Sequence, residues 1–128
     1  MDVTDWFDRY LATFVALCRG DRDDVEALLE YYSVPLLITA DATATWFATA
    51  DEVLAVGRGQ MASMREAGFD RTEMSGARTV ALNGTCTWLA ADFVRRRADG
   101  SEIAAFGAFY LISELPVGRR MTTLGIGS

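Results

Sequence analysis

No histidine occurs in the 128-residue chain, which excludes imidazole acid/base catalysis, Ser-His and Cys-His nucleophilic sites and ordinary His-ligated zinc. Lysine is missing as well. All 12 basic residues are Arg, so neither Schiff-base chemistry nor a P-loop is open to the chain. The two cysteines, Cys18 and Cys86, fit no metal or redox spacing, and no glycine pattern follows a strand as a dinucleotide loop does. No metal and no cofactor are therefore expected, and the thiols read as reduced, structural groups of a cytoplasmic protein. The start, Met1-Asp2-Val3-Thr4-Asp5, has neither the basic region nor the apolar core of a signal peptide, and no apolar run is long enough to span a bilayer. With 18 acidic residues the net charge is −6, an unfavourable field for nucleic acid or an anionic membrane, and neither is expected as a partner.

What remains is apolar. The chain is 51% hydrophobic with only two prolines, the composition of one compact domain over residues 1–128 and not of a linker. A chain of this size buries roughly two thirds of its unfolded surface, so it needs no disulfide or metal to hold a fold.

Thr4 is positioned to cap a helix whose apolar stripe runs through Trp6, Phe7, Tyr10, Leu11, Phe14, Val15 and Cys18 and ends at Gly20. Asp21 begins a second, with Val25, Leu28, Leu29 and Tyr32 at helical period, and Pro35 marks where it has ended. Leu36 to Thr39 and Thr43 to Phe47 read as two short strands around a turn at Asp41. Thr49-Ala50-Asp51-Glu52 has the form of a capping box and opens a third helix that closes at Gly68. Beyond Met74 the pattern becomes long strands, with hairpin turns at Asn83-Gly84 and Ala98-Asp99-Gly100 and a last turn at Pro116 to Gly118. Helices followed by strands indicate an α+β fold, about three N-terminal helices packed on the concave face of a curved antiparallel sheet.

The order and spacing of these elements resemble the nuclear transport factor 2-like superfamily, the α+β cone of the SnoaL-like and ketosteroid isomerase-like domains. The residues that carry the resemblance are Tyr31-Tyr32-x-x-Pro35, Thr49-x-x-Glu52, and Arg95-Arg96-Arg97-Ala98-Asp99-Gly100 followed by Tyr110. The resemblance implies a sheet wrapped around a pocket, usually in a homodimer formed through the outer face of the sheet. It implies no activity, since this superfamily holds isomerases, dehydratases, cyclases, hydrolases and transport factors. The His of dehydratase-like members is absent, the base Asp of isomerase-like members would fall near Trp46 and is missing too, and the Arg-x-Asp of the long hairpin, Arg97-Ala98-Asp99, lies in a turn.

Counting outward from the turns gives a register. A two-residue loop at Asn83-Gly84 sets Thr79 opposite Trp88 and Ser75 opposite Asp92, and a three-residue loop at Ala98 to Gly100 sets Asp92 opposite Phe106 and Trp88 opposite Tyr110. One face then gathers Ser75, Ala77, Thr79, Trp88, Ala90, Asp92, Phe106, Ala108 and Tyr110, a hollow of small side chains ringed by aromatics and one carboxyl. The other carries Val80, Leu82, Leu89, Phe93, Ile103, Phe109 and Leu111. Two apolar faces need two covers, and a second copy of the chain is the expected cover for one of them.

The pocket is expected to bind a small apolar molecule, with Trp88, Phe106, Trp46, Tyr10 and Tyr32 as ligand contacts, although each ring also serves as core. Asp92 is the candidate proton-transfer residue, its pKa raised by burial, with Tyr110 holding an oxygen in a His-independent isomerase or cyclase; the alternative for Asp92 is a structural or solvated carboxylate. A third reading is a dimeric assembly module whose pocket its own side chains fill. Arg95, Arg96 and Arg97 alternate across a strand end and are expected to solvate the hairpin.

Overall fold

The computed structural model describes residues 1–127. Helix α1 spans Val3–Arg19, a 3₁₀ helix Val25–Glu30, strand β1 Tyr32–Ala40, β2 Thr43–Phe47, α2 Ala50–Ala67, β3 Phe69–Ala81, β4 Cys86–Arg97, β5 Glu102–Leu115 and β6 Gly118–Gly127. The strands form one six-stranded curved sheet in the order β2-β1-β6-β5-β4-β3, with β1 parallel to β6 and every other pair antiparallel. This is the expected α+β architecture. No helix among the described residues is long and apolar enough to cross a membrane.

Helix α1 buries Phe7, Tyr10, Phe14, Leu17 and Cys18 against the inner face of the sheet, the stripe its periodicity requires. Its cap is Asp2 and not Thr4: the Asp2 carboxylate accepts from the Thr4 backbone N–H at 2.9 Å, starting the helix at Val3. Helix α2 carries the capping box as expected. The Glu52 N–H donates to Thr49 Oγ1 at 3.2 Å, and the Glu52 carboxylate accepts from the Ala48 N–H at 2.9 Å. Val53, Gly57, Met61 and Met64 form its buried side. Gly57 is a contact glycine: a Cβ there would stand 2.9 Å from Leu28 Cδ1 and 3.1 Å from Val25 Cγ2, so its bare backbone lets the 3₁₀ helix close on α2.

The second helix is shorter than its periodicity suggests. Tyr32, placed on that helix by sequence, is instead the first residue of β1, where it pairs with Met121 while the Tyr31 carbonyl accepts from the Met121 N–H at 2.7 Å. Sheet pairing overrides local propensity here. Between Tyr32 and Leu37 the strand leaves the β6 ladder, and Pro35, which has no N–H to give, sits in that excursion.

Both hairpins depart from the counted register by one residue. The first turn is three residues, Asn83 to Thr85, with the Asn83 side chain accepting from the Thr85 N–H at 2.8 Å. Val80 therefore lies opposite Trp88. A bulge between Ser75 and Arg78, made possible by Gly76 at φ 64, absorbs the slip and restores Ser75 opposite Asp92 as expected. In the second hairpin Arg96 pairs with Glu102 but Arg95 pairs with Ala104, leaving Ile103 unpaired. From there on Asp92 faces Gly107, not Phe106, and Trp88 faces Leu111, not Tyr110. Because side chains alternate, this single bulge turns the whole of β4 over relative to β5.

Candidate functional site

The inner face of the sheet joins Leu89, Ala91, Phe93 and Arg95 of β4 to Tyr110, Ala108, Phe106 and Ala104 of β5, each opposite the next in that order. Small side chains there, Ala104 and Ala108, leave room under the helices. The result is a hollow of about 300 Å³ walled by Tyr10 and Phe14 of α1, Tyr32, Leu36 and Ile38 of β1, Val53, Val56, Gly57 and Gln60 of α2, and Leu124 and Ile126 of β6, with Arg95 on the β4 side and Ala104, Ala105, Phe106, Ala108 and Tyr110 on the β5 side. A second hollow of about 20 Å³, room for one water, lies beside Arg95 and Phe93. The buried Thr72 hydroxyl lines it without a hydrogen-bond partner among the described residues.

Aromatic rings lock the closed end of the larger hollow. Tyr10 meets Tyr32 and Tyr110 edge to face at ring separations of 5.5 and 6.1 Å, and Tyr110 meets Phe7 at 4.8 Å. The Tyr10 and Tyr32 hydroxyls are hydrogen-bonded to each other at 2.5 Å. Burial holds the Tyr10 phenol well above its ordinary pKa, reinforced by the charge it would meet at Tyr32 and Tyr110. Burial also pushes Tyr32 up to about 12, against the opposing hydrogen bond with Tyr10 and the charge of Arg95, and raises Tyr110 in the same direction. All three are neutral phenols near pH 7, donors rather than bases. Cys18 is likewise driven up to about 11 by burial, so its thiol is an inert core group.

Among the described residues, Arg95 is the one cation of the cavity wall. Its guanidinium carbon lies 4.8 Å from the centre of the Phe106 ring and 5.4 Å from that of Phe14. Its Nη1 donates to Gln60 Oε1 at 3.3 Å and approaches Met64 Sδ at 3.7 Å. No carboxylate among the described residues pairs with it, whereas the adjacent Arg96 pairs with Glu73 at 2.6 Å.

Four of the expected site residues, Tyr10, Tyr32, Phe106 and Tyr110, therefore border one cavity. The other three do not. Trp46, Leu37, Thr123, Leu111, Trp88 and Val80 are consecutive partners across all six strands, and this row lies on the outer face, turned from the helices. Asp92 shares that face, exposed to solvent opposite Ser75 and Gly107, with its carboxylate beside Gly76. The expected placement of Asp92, Trp88 and Trp46 in the pocket is thus corrected, and the cause is the bulge at Ile103 for β4 and the outward parity of Leu37 and Trp46 for β2. Arg95 and Gln60 were missed. The alternation Leu89, Ala91, Phe93, Arg95 carries the signal for Arg95, which continues the buried side of β4 to its end.

A family described as NTF2-like protein (DUF6841) matches residues 1–126. No curated protein matches the chain. Among solved structures, an NTF-2-like protein of unknown function from Pseudomonas aeruginosa superposes with a TM-score of 0.74 at 13% identity, over 97% of this chain and 95% of the other. One of unknown function from Shewanella oneidensis MR-1 gives 0.71 at 15%, over 98% of both chains. An NTF2-like protein with a cystatin-like fold from Novosphingobium aromaticivorans gives 0.68 at 16%, over 98% of this chain and 88% of the other. At these identities the likeness is one of fold.

Proposed function

Because this chain belongs to the NTF2-like protein family DUF6841, a fold that carries many chemistries, its function rests on its own cavity, and we propose that it binds a small, largely apolar molecule there. The observation that carries this reading is the hollow of about 300 Å³, walled mainly by aliphatic and aromatic side chains and left unfilled by the chain itself. Its size lies at the lower end of small-molecule sites. The Tyr10–Tyr32 hydroxyl pair, Gln60 and Arg95 are the few polar groups that orient what enters.

A proton-transfer reading has no comparable support. Among the described residues no Asp or Glu lines the cavity, its phenols keep their protons at neutral pH, and Asp92 faces solvent on the other side of the sheet. The outer row supports a homodimer as part of the same proposal: Trp46 is 63% and Val80 49% exposed, and the face carries both Arg78 and Asp92, opposite charges suited to a self-complementary two-fold contact. Free Cys18 and Cys86 fit action in the cytoplasm.

Calorimetric titration with a neutral bicyclic probe, 2-naphthamide, tests the reading, with Ala108→Leu as the cavity-filling control. Saturable binding by the wild type, weakened at least about tenfold (roughly 1.4 kcal/mol) in Ala108→Leu, is expected. No binding, or equal binding by the filled variant, contradicts it.

A further inference from the structure

We infer that the molecule taken up by this cavity is an amphipathic monocarboxylic acid, its carboxylate paired with Arg95 and its apolar body in the hollow toward Ile38 and Leu124. The inference rests on the ligand-binding reading above and specifies the chemistry of the ligand. A guanidinium beside apolar walls loses hydration and needs an anionic partner. Every arginine in an ion pair here, such as Arg96 with Glu73, lies outside the cavity wall, and Arg95 has no carboxylate partner among the described residues. Its only side-chain acceptors are a long bond to Gln60 and the weak Met64 sulfur, both on Nη1. Donors on Nε and Nη2 remain, and a fork of guanidinium N–H groups matches the two oxygens of a carboxylate.

The chain also holds the fork in place. Contacts with the rings of Phe14 and Phe106 restrict the guanidinium before any ligand arrives, so little freedom is lost on binding. The Tyr10–Tyr32 pair uses one of its two hydroxyl hydrogens internally, which leaves the other to donate to an acceptor in the hollow. A single fixed cation with neutral donors suits a monoanion; a phosphate dianion meets no second cation among the described residues of the cavity wall. The volume of about 300 Å³ is that of roughly ten waters, enough for a bicyclic aromatic acid or a medium-chain fatty acid.

The test compares 2-naphthoate with 2-naphthamide, which has the same shape and no charge, by calorimetry on the full chain at neutral pH. The wild type is expected to bind the acid at least about tenfold more tightly than the amide, the range given by a hydrogen bond to a charged group. Arg95→Met is expected to bring that ratio near one. Equal binding of acid and amide by the wild type overturns the inference while leaving the ligand-binding reading intact, and needs no variant to fold. A ratio that survives in Arg95→Met also overturns it, and binding of neither probe overturns both.

Discussion

Tyr10 of α1 and Tyr32 of β1 meet hydroxyl to hydroxyl at 2.5 Å, both buried, at the closed end of the cavity. The bond ties the first helix to the first strand across 22 residues of chain, and it is neither a backbone ladder nor an ion pair. It is therefore the contact most open to dissection by single atoms.

Removing one hydroxyl leaves the other buried and unpaired. Tyr10→Phe and Tyr32→Phe are each expected to cost about 1–3 kcal/mol, while the double variant costs less than their sum, because its two phenyl rings leave nothing unsatisfied. Urea denaturation of the four proteins measures the coupling. Additive losses contradict the pairing.

The same burial sets a pH dependence. Tyr32 keeps its proton to about 12 in the fold, against 10.0 when unfolded, and Tyr10 and Tyr110 are raised in the same direction. Above pH 10 the unfolded chain has lost protons that the folded chain retains. Stability is full below that pH and is expected to fall as pH rises above it, by up to about 1.4 kcal/mol per pH unit for each such tyrosine. Denaturation midpoints between pH 8 and about 11 check this, and a flat profile contradicts it.

Two glycines two residues apart on α2 are expected to respond differently. Gly59 has open space around its Cα and is exposed, so Gly59→Ala gains about 0.5–1 kcal/mol of helix propensity. Gly57→Ala brings a methyl against Leu28 and Val25, and the displacement offsets that gain. Thermal melts of both variants decide, and equal stabilisation contradicts the close packing of the 3₁₀ helix on α2.

The outer row is expected to hold two copies together. Val80 is 49% exposed, so Val80→Arg leaves the protomer folded while placing a charge in the middle of an apolar contact. Sedimentation is expected to show a dimer for the wild type and a monomer, or a dimer at least about tenfold weaker, for the variant. A monomeric wild type contradicts the proposed interface.

Much of the fold is legible in the sequence because its signals are local. The stripe of Phe7, Tyr10 and Phe14, the Thr49–Glu52 capping box and the glycine at position 100 of the second hairpin each act within a few residues, and each does what it announces. The site is less legible because it depends on strand parity. The unpaired Ile103 leaves no mark that turn chemistry reveals, yet it moves Asp92 and Trp88 to the solvent face and brings Arg95 beside Phe106. Phe106, Tyr110, Tyr10 and Tyr32 are unaffected, since β5 keeps its alternation and the tyrosines of α1 and β1 are placed by elements outside that hairpin. Tyr32 still reaches the cavity although its local structure is strand and not helix, its ring meeting that of Tyr10 edge to face.

The most direct test of the central claim is a methyl NMR titration of the wild type with 2-naphthamide. A ligand in the cavity is expected to shift the methyls of Leu36, Ile38, Val53 and Leu124, which wall the hollow, and to leave those of Val80 and Leu111 on the outer row unmoved. Shifts confined to Val80 and Leu111, or none at all, contradict the account.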